Sequence, residues 1–300
     1  MAALGGAQAS TSSAEPLAPG IIFQAHRGGV REVPENTLAA FRHAWSLGGL
    51  AEVDICTTKD GEIICLHDDT LARTTNAPES VRRVPVSELT SGEIRQWDAG
   101  AWFGEKFAGE RVPTLREVFG EMRAAADAAG AGDEGEPQGC PGVYLDYKNV
   151  DLAQLAGLIQ EYGVAKQIIF CHCNQSNCIE LQKLAPNVRT MLWIGGKAAE
   201  IRAKFDEVAR GGFKGLDQVQ LHLAVEKVDG GLRYAIDAEY LQHALDAATR
   251  AGIDFEVFPF DFDDASLAGL LDLGIQWFAT DEPKRFRESV ERWEQAAGSR

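Results

Sequence analysis

Residues 51–69 read AEVDICTTKDGEIICLHDD: a β-rich run, a turn, and a second β-rich run that ends on a histidine. Asp60-Gly61 is a strong signal for a two-residue hairpin, because a type I′ turn takes positive φ at both central positions. With those two residues as the loop, partner numbers sum to 121, so Asp54 faces His67 and Cys56 faces Cys65. Side chains two apart on a strand share a face, which brings Glu52, Asp54 and His67 to one surface. Such a hairpin extends a strand beyond the rim of its sheet and returns a histidine to that rim.

Working outward, the same β-rich character recurs along the chain. The strand candidates are IIFQA (21–25), LAEVDI (50–55), VYLDY (143–147), QIIFC (167–171), VRTMLW (188–193), LDQVQLH (216–222), FEVFPF (255–260) and QWFAT (276–280). Helical stripes lie between them, such as Leu38, Phe41 and Trp45, or Leu152, Leu155 and Ile159. Eight strands alternating with helices imply a parallel α/β architecture, and the count favours a (β/α)8 TIM barrel. A dinucleotide-binding sheet would carry Gly-x-Gly-x-x-Gly after its first strand, where this chain reads AHRGGVRE. Residues 20–300 therefore read as a single barrel domain. Residues 69–112 are too long for a barrel loop and read as a small subdomain inserted after strand two, with Trp97, Trp102, Phe103 and Phe107 as its expected core. Residues 1–19 read as a disordered tail, and 125–141 as a helix end running into an acidic loop.

The chain has 300 residues, with 45 Asp plus Glu against 29 Lys plus Arg, a formal charge of −16. That balance excludes a protein that coats nucleic acid or an anionic membrane by bulk electrostatics. No apolar run reaches the length of a membrane span, so stable membrane insertion is not expected. The first residues show neither a basic n-region nor an apolar h-region, which makes a cytoplasmic location the expectation. The residues carry no signal for an oligomeric state. Cys56 and Cys65 are expected as reduced thiols. Cys171, His172, Cys173 and Cys178 lack the spacing of a four-ligand zinc site.

In a barrel the C-terminal strand ends carry the chemistry. Glu52 and Asp54 lie two apart on one strand, and Asp146 ends another. Three oxygen ligands suit one divalent cation, Mg²⁺ or Ca²⁺, better than zinc. Lys148 follows Asp146 on the same face, and Arg27 follows His26; these cations are what a phosphate needs. His26 and His67 at one rim can each hold or deliver a proton near neutral pH. If Asp54 contacts His67, its charge raises the imidazole pKa and favours the acid form. Glu35, His172, His222 and Phe260 stand where they can line the pocket, and Asn36 reads as the cap of the helix that follows it.

These pieces together resemble the glycerophosphodiester phosphodiesterase family. The resemblance rests on AHRG (25–28), PENT (34–37), EVD (52–54), TKDG (58–61), HDDTLARTT (67–75), LDYK (145–148), LLDLG (270–274) and TDEP (280–283), and covers roughly residues 21–285. It implies hydrolysis of a small-molecule glycerophosphodiester to sn-glycerol 3-phosphate and an alcohol. His26 and His67 match the family's acid–base pair, Glu52 and Asp54 its metal ligands, and Arg27 and Lys148 its phosphate contacts. Asp146 stands where the family usually has glutamate, and Phe260-Asp261-Phe262-Asp263 replaces a Trp-Thr-Val-Asn-like run. Lysophospholipase D or sphingomyelinase D-like action on larger lipids is the alternative. A carboxylate-pair glycosidase ranks behind, because it leaves both histidines, Arg27 and Lys148 without work.

Overall fold

The computed structural model describes residue 17, residues 20–128 and residues 141–297. The tail expected at 1–19, Leu17 apart, and the acidic loop at 129–140 fall outside the described residues. Eight parallel strands close on themselves: β1 Ile22–Ala25, β2 Leu50–Thr57, β3 Val143–Asn149, β4 Ile168–His172, β5 Arg189–Ile194, β6 Gln218–Leu223, β7 Asp254–Pro259 and β8 Trp277–Thr280. Each strand pairs with its sequence neighbour, and β1 closes the ring with β8 on one side and β2 on the other. This is the (β/α)8 barrel the alternation implied, and all eight strand candidates are strands.

The outer core lies between the strands and the helices around them. Phe41 and Ala44 from helix Leu38–Ser46 and Leu155 and Ile159 from helix Leu152–Tyr162 are buried there with Val53, Leu145 and Phe170 of the sheet. The barrel interior is part apolar, with Tyr144, Ile169, Cys171 and Met191, and part polar, with Gln24, Gln218, Gln220 and Glu256. No helix among the described residues is long and apolar enough to cross a membrane.

The hairpin after β2 departs from the expected register. The short strand Ile63–Cys65 pairs with β2 as Ile55↔Cys65, Cys56↔Ile64 and Thr57↔Ile63. Partner numbers thus sum to 120, and the loop has three residues, closed by the Thr58 N–H donating to the Glu62 carbonyl at 2.9 Å. The reason is local. Only Gly61 takes positive φ (81°), whereas a type I′ turn needs two such residues. The Asp60 side chain instead accepts from the Thr58 hydroxyl and from Ser91 N and Oγ, at 2.6–2.8 Å. The one-residue slip places Leu66, not His67, across from Asp54, and Cys56 is not opposite Cys65.

Beyond this hairpin, short helices over 79–107 enclose an aliphatic core of Leu66, Leu71, Val86, Leu89, Ile94 and Val112. The aromatic core expected there is not found. Trp97 packs on that cluster only partly buried, while Trp102, Phe103 and Phe107 lean edge-to-face on one another, 5.6 and 5.8 Å between centroids. Asp98 accepts from the backbone N–H groups of Gly100, Ala101 and Gly109, folding this loop on itself with Trp102 exposed. A second hairpin, Val225–Val228 with Gly231–Tyr234, follows β6 and was not expected.

Candidate active site

At the end of β1 the backbone turns sharply. Arg27 holds a left-handed conformation (φ 52°), a costly one for a side-chain-bearing residue. Gly28 follows at φ 83°, where an added Cβ would meet Ala40 Cβ at 2.5 Å. The turn aims the Arg27 N–H at Glu52, with 2.6 Å to Oε2. Thr37, not Asn36, caps helix Leu38–Ser46, accepting from Ala40 N. Asn36 is also left-handed (φ 54°) and is bound to Asp54 twice, donating from Nδ2 to Oδ2 at 2.7 Å and accepting from the Asp54 N–H at 3.0 Å. Asn36 therefore orients a carboxylate, which its position before a helix concealed.

Glu52, Asp54 and Asp146 offer carboxylate oxygens that all lie within 4.8 Å of one another. Register explains this: Glu52 and Asp54 pair with Tyr144 and Asp146 across the β2–β3 seam. Burial, reinforced by the charges of Asp54 and Asp146, pushes the Glu52 carboxyl well above the ordinary glutamate range. Burial also raises Asp146, with Lys148 opposing it. Burial acts on Asp54 too, but Lys148, His67 and Arg27 together outweigh it and hold that carboxyl low. Lys148 Nζ reaches Asp146 Oδ2 at 2.7 Å and lies 3.0 Å from Asp54 Oδ1. The second contact is poorly aligned, so Asp54 Oδ1 is buried without a hydrogen-bond partner. Three crowded carboxylates, two raised by burial and mutual repulsion and one with an unpartnered oxygen, fit a hard divalent cation with oxygen ligands.

Each histidine has one ring nitrogen fixed. His26 Nδ1 meets Asp281 Oδ1 at 2.7 Å, and its ring packs on the edge of Phe258. His67 Nδ1 meets Asp68 Oδ1 at 2.8 Å, not Asp54 as the expected register implied. Asp68 is in turn gripped by Arg73, whose hydrogen bonds, against some burial, hold that carboxyl down at about 2. Both partners escaped sequence reasoning. Asp281 belongs to a quoted motif but is 255 residues from His26, and Asp68 is adjacent to His67 where register suggested a cross-strand partner.

These groups open onto one cavity of about 230 Å³ at the C-terminal end of the barrel. One half is charged: His26, Arg27, Glu52, His67, Asp146 and Lys148. The other is aromatic: Trp193, His222, Phe258 and Phe260. Trp193 and His222 stack nearly parallel at 5.2 Å, and Phe258 and Phe260 lie 4.6 Å apart. Burial pushes the His222 imidazole down to about 4, so this half carries no charge at neutral pH. Glu35 and His172, placed at the pocket by sequence, are not among its lining residues. Glu35 is buried behind Arg27, which donates to it at 3.0 Å. His172 leans on Tyr147 and accepts from the Asn174 N–H through Nδ1, at 3.0 Å. Below the floor, buried Glu256 accepts from Gln24 Nε2 and Gln218 Nε2 at 2.9 and 2.8 Å, a network the sequence did not flag.

The model of the glycerophosphoryl diester phosphodiesterase family matches residues 26–285. A glycerophosphodiester phosphodiesterase of Caldanaerobacter subterraneus subsp. tengcongensis is 39% identical over 166 residues, 55% of this chain and 63% of that protein. One of Bacillus subtilis is 29% identical over 186 residues, 59% of this chain and 60% of that protein. The aligned stretches thus span less than two thirds of these relatives. The crystal structure of a glycerophosphodiester phosphodiesterase from Agrobacterium tumefaciens superposes with a TM-score of 0.67 at 24% identity, covering 89% of this chain and 99% of that one. An Oleispira antarctica phosphodiesterase, solved in complex with the product sn-glycerol-3-phosphate, superposes with a TM-score of 0.65 at 19% identity, over 90% of this chain and 96% of that one.

Proposed function

The chain belongs to the glycerophosphoryl diester phosphodiesterase family, and on that premise we propose that it hydrolyses glycerophosphodiesters to sn-glycerol 3-phosphate and an alcohol, with residues 20–300 acting as one catalytic domain. The observation that carries this reading is the convergence, in one cavity, of two imidazoles fixed at Nδ1 with Arg27, Lys148, Glu52 and Asp146, the last two crowded against the buried carboxylate of Asp54.

A phosphodiester anion resists attack because its charge repels nucleophiles and its leaving alkoxide is basic. Arg27 and Lys148 bind the phosphate oxygens and bring positive charge to the charged half of the cavity. Glu52, Asp54 and Asp146 would hold a divalent cation, Mg²⁺ or Ca²⁺, which when bound would supply further neutralisation of the phosphate charge. His26 and His67 act as the acid–base pair. With Nδ1 tied to a carboxylate, each ring keeps Nε2 for the substrate, one taking a proton from the attacking group (water, or the glycerol 2-hydroxyl with water then opening the cyclic phosphate) and the other giving a proton to the leaving oxygen. The two rings must hold opposite protonation states for this. The uncharged aromatic half accepts the organic part of the substrate. With a formal charge of −16 on the chain, the reading favours a small water-borne diester over one packed in an anionic bilayer.

Assaying the protein on glycerophosphocholine and lysophosphatidylcholine tests the proposal. Release of sn-glycerol 3-phosphate from the first at the higher kcat/KM supports it. Preference for the second would make the enzyme a lysophospholipase D, and hydrolysis of neither would remove the assignment.

A further inference from the structure

Arg73, just inside the insertion, joins two parts of the site that come from different elements. Its Nε and Nη2 donate to Asp68 Oδ2 and Oδ1, both at 2.8 Å. Its Nη1 and Nη2 also donate to Glu35 Oε2 and Oε1, at 2.5 and 2.8 Å. Asp68 Oδ1 is the atom that meets His67 Nδ1, and Glu35 Oε1 is the atom that receives Arg27 Nη1. A continuous chain therefore runs from His67 through Asp68, Arg73 and Glu35 to Arg27. Arg73 is not among the cavity-lining residues, so it acts only through these neighbours. Glu35 is 4% exposed, and a buried carboxylate needs its charged partners; here burial is outweighed by Arg73 first and then Arg27, which hold its carboxyl low.

We propose that Arg73 is a positioning residue that fixes the His67 imidazole and the Arg27 guanidinium in one rigid frame and, by sharing the charge of Asp68, tempers that carboxylate's pull on the imidazole. The inference rests on the reading of His67 as an acid–base group. The physical basis is the shared oxygen. Asp68 Oδ1 divides its charge between an always-protonated guanidinium and the imidazole, so losing the guanidinium leaves more of that charge to favour imidazolium. The other charged groups near His67 are Asp54 and Glu52 on β2, Asp146 and Lys148 on β3, and His26 and Arg27 after β1. Of these only Arg27 is linked to position 73, through the Glu35 carboxylate that both guanidinium groups share.

The test uses Arg73→Met and Arg73→Lys, with the His67 ring followed by NMR titration beside the pH–rate profile on glycerophosphocholine. Arg73→Met is expected to raise the His67 midpoint by about half to one pH unit. It is also expected to lower kcat about tenfold and to raise KM, because Glu35 is left to Arg27 alone. Arg73→Lys, a point charge without the planar fork, should restore the midpoint but not kcat. A His67 midpoint that stays put or falls in Arg73→Met overturns the proposal. A midpoint that rises while the pH–rate limbs stay fixed upholds the clamp and overturns the catalytic role of His67. If Arg73→Met does not fold, Asp68→Asn takes its place, with a downward shift expected; an unmoved midpoint there overturns the proposal.

Discussion

Asp281→Asn removes one charge from beside His26 and leaves a side chain of the same shape that still accepts from Nδ1–H. The Nδ1–Oδ1 distance is 2.7 Å, and the two side chains are 26% and 15% exposed. Two unit charges whose centres lie about 4 Å apart interact by ~1 kcal/mol in water and ~4 kcal/mol at an effective dielectric of 20. Arg31 Nε, 3.4 Å from the other Asp281 oxygen, draws off part of the effect. The pair therefore belongs near the low end, about 1.4 kcal/mol, which is about one pH unit. The carboxylate favours imidazolium, so its loss works against the protonated ring. If His26 is the base, the acidic limb of the kcat/KM profile moves down by about a unit; if it is the acid, the basic limb does. The assay is a pH–rate profile of wild type and Asp281→Asn on glycerophosphocholine, with the metal concentration held saturating. The limb that moves assigns the role. Two limbs that stay within a few tenths of a unit would refute the dyad, and an upward shift would refute the electrostatic reasoning.

Further predictions follow from the same contacts. Lys148→Met removes the cation shared by Asp54 and Asp146; kcat/KM should fall about 100-fold, while the more negative carboxylate cluster should half-saturate at lower divalent-ion concentration in an activity titration. Gly28→Ala forces a Cβ to within 2.5 Å of Ala40 Cβ at a φ of 83°, and should cost about 2–4 kcal/mol in a denaturant melt; a change under about 0.5 kcal/mol would contradict the close approach. Glu256 is raised by burial to about 8 from an ordinary 4.5. Its contribution to stability is thus intact below pH 4.5 and is lost as the pH climbs towards 8. Glu256→Gln escapes that loss, and its Tm relative to wild type should rise between pH 5 and pH 8, by the equivalent of a few kcal/mol at most; a pH-independent difference would contradict this.

The fold was legible because a barrel strand, buried on both faces, reads as a compact apolar or β-branched run, and because the helices between strands bury one regular stripe. Glu52, Asp54 and Asp146 were legible for a related reason: carboxylates inside apolar runs stand out, and a period of two puts Glu52 and Asp54 on one face. What escaped was set by backbone geometry and by long-range pairing. The hairpin register turned on whether Asp60 would take positive φ, and its side chain found better partners in Thr58 and Ser91. His67 still reached the cavity, yet with Asp68 as partner. Asn36 read as a cap because Asn before a helix usually is one, and only the approach of β2 shows it holding Asp54. The hairpin after β6 had a signal, Asp229-Gly230 between β-branched and polar residues, of the same kind that was read at Asp60-Gly61. No local pattern reveals Asp281 beneath His26 or Glu256 beneath the floor, since each contact joins strands far apart in the chain.

The central claim is that this cavity cleaves a glycerophosphodiester with the help of a bound divalent cation. A ³¹P NMR time course of glycerophosphocholine with the purified protein tests it most directly, run with Mg²⁺ or Ca²⁺, after EDTA, and after re-addition of the ion. The account predicts that the diester signal gives way to sn-glycerol 3-phosphate, stops doing so in EDTA, and resumes with the restored ion. An unchanged diester signal under all conditions, or turnover indifferent to EDTA, would contradict it.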